Sequence, residues 1–109
     1  AGPPACPYCG AYVRPDVVWF DEPHPPAALE RAFALSQTCD VMLVVGTSGI
    51  VTPVAYMPEY AHRSGAIVIE VNPNTTPITD FATLHFAGPS GEILPQIVAA
   101  VAQNGTPHE

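Results

Sequence analysis

The sequence contains no lysine, and Arg14, Arg31 and Arg63 stand alone against ten acidic residues, a net charge of −7. Three arginines cannot build a basic patch that follows a phosphate backbone, which argues against nucleic acid as a partner. The acidic field favours basic partners such as lysine-rich peptides, although acidity serving only solubility would give the same composition. No apolar run approaches the ~20 residues of a membrane-spanning helix, so no membrane association is expected. The opening Ala1-Gly-Pro-Pro-Ala-Cys6 also lacks the layout of a signal peptide. Cysteine is scarce, with Cys6, Cys9 and Cys39. An odd count containing one C-x-x-C pair fits a reducing compartment and a metal or redox role better than disulfides, so the expected location is cytoplasmic. Gly-x-Ser-x-Gly, a P-loop and paired catalytic carboxylates are missing as well. At 109 residues the chain is one small domain, or a piece of a larger one.

What is present is led by Val41-Met-Leu-Val-Val-Gly-Thr-Ser48. Five apolar residues are too few for a helix and suit a strand buried on both faces. Such a strand, running into glycine and two hydroxyls, delivers backbone N–H groups to the carboxyl edge of a sheet, where open α/β sheets bind nucleotides. An ordinary tight turn would also carry this pattern. Val17–Phe20 reads as a short strand broken by Asp21-Glu-Pro-His-Pro-Pro26, and a helix follows over 26–38. A second helix is expected over 53–63, kinked or restarted at Pro58. Further strands are expected at 66–71 and 83–86, with a loop at 72–77 between them. A last helix over 91–103 carries the stripe Ile93, Leu94, Ile97, Val98 and Val101, and the tail after Asn104 should fray. The order predicts an α/β fold with a parallel sheet. Three strands make a thin sheet, which reads as half of a doubly wound domain.

Cys6-Pro-Tyr-Cys9-Gly10 has the form of a zinc knuckle, with two of the four ligands that structural zinc requires. Cys39, between a helix end and a strand, reads as a small hydrophobe, and His24 as a solvated loop residue. A redox dithiol fits less well, because no strand precedes the pair and no helix closely follows it. At the ends of the two main strands, Gly46, Thr47 and Ser48 could serve phosphate and ribose oxygens, and the Asn72 amide a ribose hydroxyl. Asn72 before a proline is also a common turn former. None of His24, His62, His85 and His108 sits in a nucleophile or general-base pattern with a partner acid.

Taken in order, these motifs resemble the sirtuins, NAD-dependent protein lysine deacylases. The resemblance rests on Cys6-Pro-Tyr-Cys9-Gly, Arg14-Pro-Asp-Val-Val-Trp-Phe20-Asp-Glu22, Gly46-Thr-Ser48-x-x-Val51-x-Pro53, Asn72 with its Thr-Thr-Pro, and Gly88-Pro-Ser-Gly91 ahead of Leu94-Pro95. It covers nearly the whole chain and corresponds to the C-terminal portion of the family pattern. It implies part of a Rossmann-like doubly wound sheet that binds NAD, with half of a zinc-ribbon insertion at the N-terminus. Residues 1–16 would be the second half of the ribbon, 17–105 the C-terminal part of the NAD-binding domain, and 106–109 a tail.

By the same resemblance, Cys6 and Cys9 would be one zinc ligand pair. Gly46, Thr47, Ser48, Asn72, Pro73, Asn74 and Ser90 would contact NAD. Val18 would line an acyl-lysine tunnel. Phe20, Asp21 and Glu22 on one side, and Gly49, Ile50 and Val51 on the other, would hold the substrate peptide as an added strand. Three positions depart from the family pattern: Asp21 stands where glycine is usual, Gly49 where leucine is common, and Asn74 where an acidic residue often sits. The family's Gly-Ala-Gly loop, Gln-Asn-x-Asp motif and catalytic His-Gly belong upstream of these motifs, and no histidine here precedes a glycine. No catalytic residue is assigned, and the chain alone is expected to be inactive, its partner being a missing N-terminal half. The alternative is a non-catalytic nucleotide-binding or assembly module derived from the same fold.

Overall fold

The computed structural model describes residues 2–105, so the expected tail at 106–109 lies outside the described residues. Helix α1 spans Pro26–Thr38. Proline at its first position has no N–H to leave unpaired and a φ already suited to the turn. Strand β1 covers Val41–Val45 and β2 Ile67–Val71. Between them the chain makes a single 3-10 turn at Val54–Tyr56 and then helix α2, Met57–Arg63. The expected restart at Pro58 is found: the proline falls in the first turn of α2, where its missing N–H needs no partner. A second 3-10 turn, Pro77–Asp80, leads to β3, Leu84–Phe86, and α3 runs from Ser90 to Asn104.

The three strands pair in parallel in the order β1-β2-β3. Their register aligns Val45, Val71 and Phe86, so all three carboxyl ends lie on one rim. Val44, Ala61, Ala66, Val68 and Ile78 form the core beneath one face, closed by α2 and the second 3-10 turn. Burying side chains the size of Val68 and Ile78 contributes roughly 1.5–3 kcal/mol each. Helix α1 packs on α2, with the Phe33 ring edge-on to Tyr60 at 5.5 Å. Ser36, facing inward from α1, turns its hydroxyl back onto the Ala32 carbonyl at 2.8 Å, which removes the cost of burying it.

Two expectations change. Val17–Phe20 is not a strand, because no neighbouring strand is present among the described residues to pair with it. The segment bends at Val17 and runs irregularly into a turn at Phe20 and Asp21. Strand β1 is covered on one face only: Leu43 is 52% exposed while Val44 is buried. The uncovered face continues through Val41, Ile67 and Leu84, and in the second half of α3 Val98 and Val101 are exposed apolar residues as well. The α3 stripe read from the sequence exists, but no described residue covers these two side chains.

Candidate functional site

The carboxyl rim is built around Asn72. Gly46 closes β1 at φ 66°, a backbone conformation open to glycine, and its N–H bonds the Val71 carbonyl at 2.9 Å. The chain then turns outward, and the N–H groups of Thr47 and Ser48 have no hydrogen-bond partner among the described residues. Gly49, at φ 73°, passes so close to Ile78 that a Cβ there would meet its side chain at 3.0 Å, which accounts for glycine at this position.

Asn72, 7% exposed, joins the three rim loops. Its Nδ2 donates to the Thr47 carbonyl at 2.9 Å, and its Oδ1 accepts the Asn74 N–H at 3.0 Å. Its own N–H bonds the Phe86 carbonyl at 3.1 Å, and its carbonyl accepts the Gly88 N–H at 3.4 Å. The amide expected to face a ribose is thus partly engaged in holding the loops together. Pro73 and Asn74 lie exposed on the same loop, and Ser90 is exposed two residues beyond Gly88 at the start of α3. The structure brings the seven predicted nucleotide residues to one edge of the sheet.

Behind this rim lies a buried acid. Glu70, in β2, is fully enclosed. The hydroxyls of Thr76 and Thr79 both donate to its carboxylate. The same two threonines cap the 3-10 turn reciprocally: Thr76 Oγ1 accepts the Ile78 N–H at 3.1 Å, and Thr79 Oγ1 the Thr76 N–H at 2.9 Å. His85 Nε2 lies 3.8 Å from Glu70 and has no hydrogen-bond partner among the described residues. The loop that carries Asn72 is therefore anchored from below by a side chain of the preceding strand.

A second concavity of about 440 Å³ gathers Val18, Trp19, Phe20, Asp21, Glu22, His24 and Leu29 opposite Val51 and Pro53. Five of the predicted substrate residues line it; Gly49 and Ile50 do not. Its shape depends on the turn at 19–22. Arg14 bonds Glu22 at 2.7 Å and lies 4.1 Å from the centre of the Trp19 ring. The Trp19 N–H donates to the Glu22 carboxylate at 2.9 Å. The guanidinium, and after it the Trp19 N–H, hold the Glu22 carboxyl below its usual range.

Cys6 and Cys9 sit on a turn closed by the Gly10 N–H on the Cys6 carbonyl at 2.9 Å. The Tyr8 N–H and then the Cys9 N–H draw the Cys6 thiol below its ordinary value, which suits a thiolate ligand. Two thiols fit half of a tetrahedral zinc site, and no cluster of three metal-ligating side chains occurs among the described residues.

A model of the Sir2 family matches residues 1–53. An NAD-dependent protein deacylase of Pyrococcus abyssi (strain GE5 / Orsay) is 51% identical over 98 residues, covering 90% of this chain and 39% of that protein. By these matches the chain is Sir2-like in sequence. It spans well under half the length of the curated relatives it matches. Superposition on a Sir2 homolog–NAD complex gives a TM-score of 0.84 at 38% identity, covering 96% of this chain and 41% of that one. Sir2Af2 bound to a myristoylated histone peptide gives 0.82 at 39% identity, covering 93% and 43%. The Rossmann-like α/β class read from the sequence agrees with these Sir2 structures. Two parts of the rim escaped the sequence reading, the Glu70 anchor and the clamp role of Asn72. The first had a signal: one carboxylate inside the apolar run Ala66-Ile-Val-Ile-Glu-Val71 must be paired if the strand is buried.

Proposed function

We propose that this chain forms the nucleotide cradle and the peptide groove of an NAD-dependent protein lysine deacylase. The observation that carries the proposal is the joining of three rim loops by Asn72, beside a groove of about 440 Å³. Gly46, Thr47, Ser48, Asn72, Pro73, Asn74 and Ser90 would hold NAD, with the two unpartnered N–H groups suited to its oxygen atoms. Bound NAD supplies a ribose carbon that accepts the acyl oxygen as nicotinamide leaves. Val18, Phe20, Asp21, Glu22 and Val51 would hold the acyl-lysine peptide and exclude water from it. The complexes of Sir2 relatives with NAD and with a histone peptide support both assignments.

His85 lies 3.8 Å from Glu70 with its Nε2 unpartnered among the described residues, and the exposed His62 packs its ring 5.4 Å from that of Phe81. The general base for the ribose hydroxyl would then come from a His-Gly motif outside these 109 residues, since none of the four histidines precedes a glycine. The uncovered sheet face supports the same conclusion, because apolar area of that extent needs a covering layer. The test compares the chain as given with the chain joined to the part of the Pyrococcus abyssi relative that the match leaves out. The joined protein should release nicotinamide only with both NAD and an acetyl-lysine peptide, and the chain alone should release none. Deacetylation by the joined protein without NAD would overturn the proposal.

Cys6 and Cys9 would supply half of a structural zinc site in the same assembly. The joined protein should then hold about one zinc per chain, and Cys9→Ser should lose most of it and unfold at a lower temperature. Elemental analysis with a melting curve decides this; full zinc occupancy in Cys9→Ser would remove Cys9 from the ligand set.

A further inference from the structure

Asp21 is the one non-glycine residue among those described with a left-handed backbone, at φ 63°. Aspartate tolerates this conformation better than most side chains, but it is still less favourable than an ordinary turn. Backbone strain of this kind persists only where the surroundings fix it. Here they do: the Glu22 N–H bonds the Trp19 carbonyl at 3.1 Å, the Trp19 N–H bonds the Glu22 side chain, and Arg14 pins that carboxylate. The turn places Asp21 in the groove lining, where it is exposed and forms no ion pair or side-chain hydrogen bond among the described residues. Glu22 beside it is neutralised by Arg14. The groove therefore carries one uncompensated carboxylate, set among His24, Thr52 and mainly apolar side chains.

An acylated lysine has lost its charge, so it cannot answer that carboxylate. A neighbouring arginine or unmodified lysine can. We propose that Asp21 makes the groove select acyl-lysine peptides that carry a cationic residue close to the modified lysine. The inference rests on the deacylase reading and adds to it the chemical class of the peptide. The absence of lysine and the net charge of −7 act in the same direction, drawing cationic peptides in before contact.

The experiment uses the joined protein and acetyl-lysine peptides in which arginine, alanine or glutamate is moved through the three positions on either side. At low salt, kcat/KM for arginine should exceed that for alanine by about fivefold at one position or more, and high salt should compress the ratio. Asp21→Asn keeps a side chain that accepts the left-handed turn and should remove most of the arginine preference, leaving the part that the overall acidic field supplies. Asp21→Gly relieves the strain as well and should give the same ratio as Asp21→Asn, which separates charge from backbone shape. Turnover of all peptides with no arginine preference, or an unchanged preference in Asp21→Asn, overturns the inference alone. No NAD-dependent turnover of any peptide overturns it together with the deacylase reading.

Discussion

Replacing Glu70 by alanine is expected to lower the free energy of unfolding by about 3 kcal/mol, one of the two largest effects in this chain. Glu70 is completely enclosed, and its carboxylate receives the hydroxyls of both Thr76 and Thr79. Alanine would leave two buried donors without an acceptor and a cavity where the side chain had been. Each hydroxyl also accepts a backbone N–H, so loosening either one loosens the 3-10 turn at Pro77–Asp80 and the buried Ile78 it carries. Glu70→Gln keeps the shape and one acceptor oxygen and should lose about half as much. Urea unfolding at neutral pH measures both. A loss below about 1 kcal/mol for Glu70→Ala would mean that the threonines find other acceptors and that the anchor is not needed.

What could be read in advance follows from whether a feature is local. The element order and the parallel sheet were legible because Val41–Val45, Ile67–Val71 and the α3 stripe each declare their period within a few residues. Proline positions gave the start of α1 and the break before α2 for the same reason. Val17–Phe20 misled because its composition is that of a strand, while pairing depends on a neighbour that composition cannot supply. Two-sided burial of β1 failed similarly: the apolar run is real, but cover on the second face is a tertiary property.

At the site, residue types were legible and their division of labour was not. Gly46, Thr47, Ser48 and Asn72 meet at the rim as expected, yet which atoms are spent on the fold and which remain for a ligand emerges only from the hydrogen bonds. Asp21 illustrates the converse. Its departure from the expected glycine was visible in the sequence, while the turn that stabilises it involves Arg14, seven residues earlier, and the Trp19 ring.

Asn72→Asp is expected to weaken ADP-ribose binding at least about tenfold while nearly preserving shape. The substitution keeps Oδ1 for the Asn74 N–H but exchanges the Nδ2 donor for a second oxygen facing the Thr47 carbonyl at 2.9 Å. Two acceptors at that distance repel, so the loop carrying the Thr47 and Ser48 N–H groups must swing away from the β2 loop. The backbone bonds from residue 72 to Phe86 and Gly88 remain, which leaves the sheet register intact and confines the damage to the β1 side. Asn72→Ala removes the donor without adding repulsion, so its affinity should fall between those of Asn72→Asp and the parent. Calorimetric titration of ADP-ribose into the joined protein, beside a melting curve for each variant, separates lost affinity from lost stability. Equal affinity in Asn72→Asp and the parent would show that the rim binds nucleotide without this clamp, and the cradle would have to be assigned to other residues.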